Sequence, residues 1–281
     1  MVAVSIVIPA YNETGGIRPT LEQLKDAVTE LDCEILVVDD GSSDDTATQA
    51  EACEGIRVLR HDVNRGYGAA LKTGIRNARG DVICITDADG TYPNDRIPEL
   101  FGLMDRYDMV VGARTGANVA IPLVRRPAKW CLNQLANLMA GTKIPDLNSG
   151  LRLFRKEIAE KYMHFMPSGF SFTTTITMAM LNDDYLVKYV PIDYYHREGR
   201  SKIRPIRDTS NFVMLILRVT MYFKPLKIFL PVAALLLVAS SIALVGDVGR
   251  ETGLSDKTVI LSLATGMVFL VGLLADAVAN R

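Results

Sequence analysis

The sequence of 281 residues has room for one large domain or two ordinary ones. Lys and Arg (31) nearly balance Asp and Glu (32), so a net charge of −1 argues against a general nucleic-acid-binding surface. The four cysteines lie far apart with no CxxC pair, which excludes an obvious structural zinc site. The mean hydropathy of +0.17 is high for a soluble enzyme and indicates a strongly apolar segment somewhere in the chain.

Residues 1 to about 207 alternate short apolar runs with amphipathic stretches, which is typical of an α/β domain. The predicted strands are Val4–Ala10, Glu34–Asp39, Arg57–His61, Val82–Thr86 and Met109–Gly112. The predicted helices between them are Thr20–Leu31, Asp44–Cys53, Gly66–Arg79 and Arg96–Tyr107. Four strand-to-helix units in series predict a mostly parallel sheet, with ligands at the carboxyl ends of its strands.

Two apolar runs follow this region, Ile228–Gly246 and Thr258–Ala275. The first run has 19 residues, enough for a helix to cross the hydrocarbon core of about 30 Å, and two such runs favour membrane spans over buried core helices. Basic residues before the first run and Arg281 after the second predict that both termini are cytoplasmic. The stretch Thr209–Phe223 suits either an interfacial helix or a core helix.

The acidic turn Asp87-Ala88-Asp89-Gly90 directly follows an apolar predicted strand. Two carboxylates one residue apart can bind one divalent cation where the backbone turns, and glycine permits that turn. A solvated, helix-capping loop is the alternative interpretation, which spacing alone leaves open. A calcium EF-hand is excluded because Tyr92 and Pro98 stand where its glycine and glutamate are needed.

Three further polar segments end or follow predicted strands: residues 9–13 (PAYNE), 39–46 (DDGSSDDT) and 64–68 (NRGYG). With the acidic turn, this ordered set closely resembles the family-2 glycosyltransferases over residues 1 to about 207. The resemblance implies a GT-A catalytic domain, a Rossmann-like fold with a mostly parallel sheet. It also implies that Asp87 and Asp89 hold Mg²⁺ or Mn²⁺ against the diphosphate of a nucleotide sugar. The nucleotide-sugar site implied in this way contains Pro9, Tyr11, Glu13, Asp39, Asp40, Lys72, Asp87, Ala88 and Asp89.

Two later segments, 146–152 (DLNSGLR) and 197–203 (REGRSKI), together with the pair of apolar runs, resemble the dolichol- or polyprenyl-phosphate sugar synthases. A processive polysaccharide synthase is not indicated, because the only tryptophan, Trp130, does not lie in a QxxRW element. A lipid phosphate acceptor needs cations near the membrane. The acceptor-phosphate candidates are Arg114, Arg126, Ser149, Arg152, Arg197, Ser201 and Lys202. Ordinary surface charge is the alternative for these cations, especially for Arg126 and the neighbouring Arg125.

A phosphate monoester has its second pKa near ~6 and is already mostly ionised at neutral pH, so a protein base is optional. We expect in-line displacement at the anomeric carbon with inversion of configuration. Asp89 and Asp146 are the catalytic candidates, Asp89 through the metal and Asp146 as a base or second carboxylate. Capping of the turn before Asn148 is the alternative role for Asp146.

The sequence therefore predicts a membrane-bound inverting glycosyltransferase that moves a hexose from a UDP-glucose or GDP-mannose type of donor to polyprenyl or dolichyl phosphate at the cytoplasmic membrane face. The alternative is a catalytically weak nucleotide-sugar-binding membrane protein, a sensor or scaffold. The expected organisation is a cytoplasmic GT-A domain (1–207), a juxtamembrane helix (208–225) and a two-helix, multi-pass transmembrane domain (226–281). No nucleic-acid partner is expected, and the sequence leaves open the sugar and whether the protein forms a homo-oligomer.

Overall fold

The computed structural model describes residues 2–116, 126–169, 171–195, 205–248 and 253–279, with only the backbone for 126–132 and 205–212. The chain divides into two compact units, Met1–Val213 and Met214–Arg281. The boundary falls within the helix Pro205–Phe223, and the predicted division at 207 and 225 stays a prediction.

The first unit contains a seven-stranded sheet with the order β3-β2-β1-β4-β6-β5-β7. Its strands are β1 (Val4–Ala10), β2 (Cys33–Asp39), β3 (Ile56–Arg60), β4 (Val82–Ile85), β5 (Met109–Ala113), β6 (Arg152–Arg155) and β7 (Val187–Pro191). The five predicted strands are confirmed to within one residue at each end, whereas β6 and β7 were not predicted. The sheet is mostly parallel as expected, except that β6 pairs antiparallel with both β4 and β5.

Seven helices connect or cover the described strands: α1 (Ile17–Ala27), α2 (Thr46–Glu51), α3 (Tyr67–Asn77), α4 (Ile97–Gly102), α5 (Arg126–Ala140), α6 (Lys156–Lys161) and α7 (Phe172–Asn182). The four predicted helices are confirmed in position but end earlier than expected. Helix α2 also begins two residues later than predicted, because the Asp44 carboxylate accepts a hydrogen bond from the Thr46 backbone N–H at 3.1 Å and so lies outside the helix. A short 3₁₀ turn, Asn94–Arg96, precedes α4.

The core of this unit lies on both faces of the sheet. On one face, alternate β1 residues such as Ile6 and Ile8 share a buried cluster with Leu21 of α1 and Leu100 of α4. On the other face, α3 lies against β1, with Gly74 close to the side chain of Val7. Every residue of β1 is buried. Because both faces are covered, the polar loops at the carboxyl ends of the parallel strands are the natural place for a ligand.

The C-terminal region contains α8 (Pro205–Phe223), α9 (Leu226–Asp247) and α10 (Asp256–Ala279). Helices α9 and α10 have mean hydropathies of 2.6 and 2.3 in their most apolar windows and are long enough to cross a membrane, as the two apolar runs predicted. They pack against each other, and the Ser240 and Ser262 hydroxyls are hydrogen bonded at 2.7 Å. At the turn between them, the Asp247 carboxylate accepts hydrogen bonds from the Ser255 and Thr258 hydroxyls at 2.8 and 2.6 Å.

Candidate functional site

The acidic turn predicted from the sequence follows the carboxyl end of β4, where neighbouring elements hold its backbone. The Thr20 hydroxyl of α1 donates a hydrogen bond to the Ala88 carbonyl at 3.2 Å. The loop before α1 approaches so closely that a Cβ on Gly16 would lie 3.0 Å from that same carbonyl oxygen. The Asp89 carboxylate accepts hydrogen bonds from the backbone N–H and the hydroxyl of Thr91 at 3.2 and 2.7 Å. These contacts fix the turn before any ligand binds.

The first carboxylate of the turn, Asp87, is restrained by two neighbours. The Tyr67 hydroxyl of α3 donates to Asp87 Oδ1 at 3.1 Å. Gly150 lies so close that a Cβ on it would come within 2.9 Å of Asp87 Oδ2. Burial, together with the charge of Asp87, raises the pKa of Tyr67 well above its ordinary value, so the hydroxyl remains a donor at neutral pH.

The chemistry of this turn suits a magnesium or manganese ion completed by a substrate. Among the described residues, no group of three or more His, Cys, Asp or Glu side chains is arranged to hold a metal. Asp87 and Asp89 offer two carboxylates, and both residues are only partly buried. Mg²⁺ is commonly bound by one or two carboxylates together with substrate phosphates and water. The residues present therefore fit a metal that binds with a diphosphate.

The predicted donor pocket lies at the adjacent carboxyl ends of β1 and β2. The loops after these strands are joined by the Ser43 N–H, which donates to Asn12 Oδ1 at 2.9 Å, and by the Glu13 N–H, which donates to the Thr46 hydroxyl at 2.9 Å. Asp39 is 4% exposed, and its Oδ1 has no hydrogen-bond partner in the described part of the chain. A buried acceptor without a partner is costly, so this oxygen is suited to a ligand hydroxyl or N–H. The structure thus brings Pro9, Tyr11, Glu13 and Asp39 to neighbouring strand ends.

Asp40, predicted for the same pocket, supports a loop. Its Oδ1 is 2.7 Å from His61 Nδ1 and accepts from the Arg65 N–H, while Oδ2 accepts from the Gly66 N–H at 2.7 Å. The His61 ring is 5% exposed, and its Nε2 is 2.9 Å from the Thr73 hydroxyl of α3. These contacts give Asp40 a structural role, and its donor-binding role stays a prediction. Sequence reasoning missed His61 because its partners come together only in the fold.

Lys72, the remaining predicted donor-site residue, lies partly buried on α3. Burial lowers its pKa, and the like charges of Arg76 and Arg65 lower it further. An anion near the Lys72 ammonium group would reverse this effect. The predicted role of Lys72 in donor binding fits this position and stays a prediction.

Asp146 is fully engaged with Arg114. The guanidinium donates in a bidentate manner, Nε to Asp146 Oδ2 at 2.7 Å and Nη2 to Oδ1 at 2.9 Å. The backbone N–H groups of Arg114 and Asn148 donate to the same carboxylate at 3.1 and 3.3 Å. Burial alone would lower the pKa of the Arg114 guanidinium. The neighbouring Tyr92 and Asp146 have the larger, opposite effect, so this pKa lies well above its ordinary value. Asp146 therefore acts in this structure as a buried counter-ion and as the predicted cap of the turn.

Arg152 and Ser149 do not face a binding surface. Both are 0% exposed, and the Ser149 hydroxyl donates to the Gly112 carbonyl. Arg152 donates to the Ser149 carbonyl at 3.0 Å and to the Thr173 carbonyl and Thr177 hydroxyl of α7 at 2.9 and 2.8 Å. In this structure both side chains are buried and hydrogen bonded within the protein, and the acceptor-phosphate role of Arg152 and Ser149 stays a prediction.

The remaining acceptor candidates stay predictions. Arg125, Arg197, Ser201 and Lys202 lie outside the described residues, and only the backbone of Arg126, the first residue of α5, is described. Besides Arg152, the structure also describes the side chain of Arg114, another predicted acceptor cation. Its side chain is 16% exposed while it pairs with Asp146.

Comparison with known families gives two matches, one within each of the two structural units. The model of the family described as Glycosyl transferase family 2 matches residues 5–163, and that of the GtrB C-terminal hairpin matches residues 224–280. A dolichyl-phosphate hexose transferase of Haloferax volcanii is 30% identical over 203 residues, 72% of this chain and 86% of that protein. An undecaprenyl-phosphate mannosyltransferase of Micrococcus luteus is 32% identical over 210 residues, which cover 70% of this chain and 86% of that protein.

A third relative is longer. The low-salt glycan biosynthesis hexosyltransferase Agl6 of Haloferax volcanii is 30% identical over 76% of this chain, which spans about half (52%) of that protein. Among solved structures, glucosyl-3-phosphoglycerate synthase from Mycobacterium tuberculosis in complex with Mn²⁺, UDP and phosphoglyceric acid superposes with a TM-score of 0.61. The two chains are 20% identical over 78% of each. This likeness concerns the fold, and it confirms the expected GT-A architecture.

Proposed function

This chain belongs to glycosyl transferase family 2, and on that premise we propose that it transfers a hexose from a nucleotide sugar to a polyprenyl or dolichyl phosphate at a membrane surface. The observation that carries the proposal is that the Asp87–Asp89 turn and the orphaned Asp39 carboxylate oxygen lie at the carboxyl ends of strands β4 and β2, which flank β1 in the sheet. The chain also has two membrane-length apolar helices. The names of two relatives, a dolichyl-phosphate hexose transferase and an undecaprenyl-phosphate mannosyltransferase, support the lipid phosphate as acceptor.

The nucleotide-sugar donor would be bound at three places. Asp39 Oδ1 would accept a hydrogen bond from the ribose or base, and Lys72 would approach the diphosphate. Asp87 and Asp89 would hold Mg²⁺ or Mn²⁺, and the related fold accommodates Mn²⁺ together with UDP. Once bound, such an ion stabilises the negative charge that develops on the departing nucleoside diphosphate.

The acceptor half requires little proton transfer from the protein. A phosphate monoester is mostly dianionic at neutral pH, since its second pKa is about 6, and can attack the anomeric carbon directly. The four N–H groups that donate to Asp146 support this base-free mechanism, because they stabilise it as a counter-ion. A single in-line displacement would invert the anomeric configuration. Arg126, Arg197, Ser201 and Lys202 are the proposed phosphate ligands.

For the membrane arrangement, we infer that α9 and α10 both cross the bilayer and that the catalytic unit is cytoplasmic. Five basic residues between positions 204 and 227 precede the first span, and the connector Asp247–Lys257 has three acidic and two basic residues. Positively charged flanks favour the cytoplasmic side. A nucleotide-sugar sensor or scaffold is the competing function; it would bind the donor without transferring the sugar.

The proposed function is tested with the purified full chain in detergent, polyprenyl phosphate and a panel of UDP- and GDP-sugars. Asp89→Asn should lower transfer by about a hundredfold or more, the scale expected when a group that stabilises transition-state charge is lost. Excess EDTA should do the same to the unaltered protein. Asp95→Asn is the matched control, because Asp95 is exposed and lies six residues further along the chain. Full transfer by Asp89→Asn, or donor binding without transfer by the unaltered protein, would contradict the proposal.

A further inference from the structure

We propose that α7 is a clamp for the metal-binding site, holding the 148–150 turn against Asp87 through the positioning residue Arg152. This inference rests on the proposed metal-dependent function, because Asp87 is one of the two proposed metal ligands. It gives a role to Arg152, whose side chain is fully buried in this structure.

Arg152 ties the turn to α7 through its guanidinium. On one side, Nε and Nη2 both donate to the Ser149 carbonyl, Nε at 3.0 Å. On the other side, Nη1 donates to the Thr173 carbonyl and the Thr177 hydroxyl at 2.9 and 2.8 Å. These acceptors are neutral, so they hold a fully buried charge by hydrogen bonds rather than by direct ion pairing. Burying a cation in this way is costly, which makes it a poor choice for mere packing.

The two neighbours of Ser149 are anchored as well. The Thr174 hydroxyl of α7 donates to Asn148 Oδ1. The Gly150 N–H donates to the Tyr92 hydroxyl at 2.6 Å. Each residue of the turn therefore has its own anchor: Thr174 of α7 for Asn148, Arg152 of β6 for Ser149 and Tyr92 for Gly150. Arg152 is itself hydrogen bonded to α7.

The anchored turn forms one wall around Asp87. Gly150 lies so close to that carboxylate that a Cβ would be 2.9 Å from Oδ2 and 3.1 Å from Oδ1. The Tyr67 hydroxyl also restrains this carboxylate, donating to Oδ1 at 3.1 Å. If the turn moves, Asp87 gains rotamer freedom that must be lost again when a metal binds. Loosening α7 should therefore weaken metal-dependent nucleotide binding specifically.

The threonines of α7 supply a matched test. Thr174→Val and Thr177→Val each remove one hydroxyl that holds the turn or Arg152. Thr175→Val is the control, since Thr175 is equally buried but its hydroxyl donates to the carbonyl of Ser171, the residue directly before α7, and contacts neither the turn nor Arg152 in the described hydrogen bonds. Isothermal titration calorimetry measures the Kd of UDP and of GDP with and without Mn²⁺. The readout is the Mn²⁺ enhancement, defined as the factor by which Mn²⁺ lowers the nucleotide's Kd. It is measured with whichever of UDP and GDP binds the unaltered chain more tightly.

In Thr174→Val and Thr177→Val, the Mn²⁺ enhancement should fall about threefold to tenfold, the effect of one hydrogen bond. The Kd of the nucleotide without metal should stay unchanged in both variants. Thr177→Ser should retain the original Mn²⁺ enhancement. The control Thr175→Val should also retain it, with a melting temperature similar to that of the two valine variants. An enhancement equal to that of the control in both valine variants would overturn the clamp. A raised KM for polyprenyl phosphate with unaltered enhancement would do so too, assigning Arg152 to the acceptor. Absence of any enhancement in the unaltered chain would instead overturn the proposed metal-dependent function.

Discussion

Replacing Asp146 with asparagine distinguishes a buried counter-ion from a general base. Asparagine has nearly the same shape, but it removes the charge and turns one acceptor oxygen into an amide donor. Each Asp146 oxygen accepts hydrogen bonds from two N–H groups. In asparagine, one of these oxygens is replaced by an NH₂ group, which cannot accept those two hydrogen bonds and points at two other donors. Arg114 would be left as an unpaired cation with a side chain only 16% exposed.

Breaking a buried ion pair from one side costs about 3–5 kcal/mol, and the residual exposure of Arg114 favours the lower figure. For a unit of this size, about 2–4 °C is lost per kcal/mol, so Asp146→Asn should lower the melting temperature by about 6–20 °C. Thermal unfolding in detergent measures this loss. Adding Arg114→Met to Asp146→Asn should restore part of it, because the unpaired cation is removed.

Turnover below the melting temperature completes this test. As a counter-ion, Asp146 should contribute no ionisation to the pH dependence of kcat. Asp146→Asn should retain measurable transfer in proportion to its folded fraction. An unaltered melting temperature combined with a loss of turnover of about a hundredfold or more, as for a removed general base, would refute this reasoning.

Three further predictions concern the turn, the donor site and the membrane region. Gly150→Ala should push the Asp87 carboxylate aside and weaken Mn²⁺ binding severalfold by calorimetry, whereas Gly169→Ala, with open space around its Cβ position, should not. Because burial and two arginines lower the pKa of Lys72, a bound diphosphate should raise it again. UDP or GDP binding at a pH between the two values should therefore take up a proton, seen as a buffer-dependent binding enthalpy that Lys72→Met abolishes. A tag at Thr252 should be labelled from outside intact cells and tags at either terminus should not; the reverse pattern would contradict the inferred topology.

The parts of the fold that could be predicted are those with a strong local pattern. The Val- and Ile-rich runs of β1 to β5 and the two apolar helices gave their positions directly. Strand β6 was missed because Arg152-Leu153-Phe154-Arg155 is short and begins and ends with arginine. Its antiparallel place between β4 and β5 depends on pairing between distant segments, which no local pattern encodes.

The candidate site was predictable for residue types but not for side-chain directions. Asp87 and Asp89 were found because their spacing after a strand is itself the signal. Arg152 was assigned to the acceptor because a cation in such a motif suggests an anion, yet β6 and α7 bury it completely. His61 showed no partner in the sequence, because Asp40 becomes its neighbour only when β2 and β3 pair.

The most direct test of the central claim identifies the product made by the full chain in lipid nanodiscs containing polyprenyl phosphate. The nanodiscs are incubated with each UDP- or GDP-sugar and Mn²⁺, and the extracted lipid is then analysed by mass spectrometry. The account predicts a polyprenyl phosphate carrying one hexose, formed together with free nucleoside diphosphate and absent with EDTA. Free sugar as the product, or unmodified lipid with every donor despite measurable nucleotide binding, would contradict it.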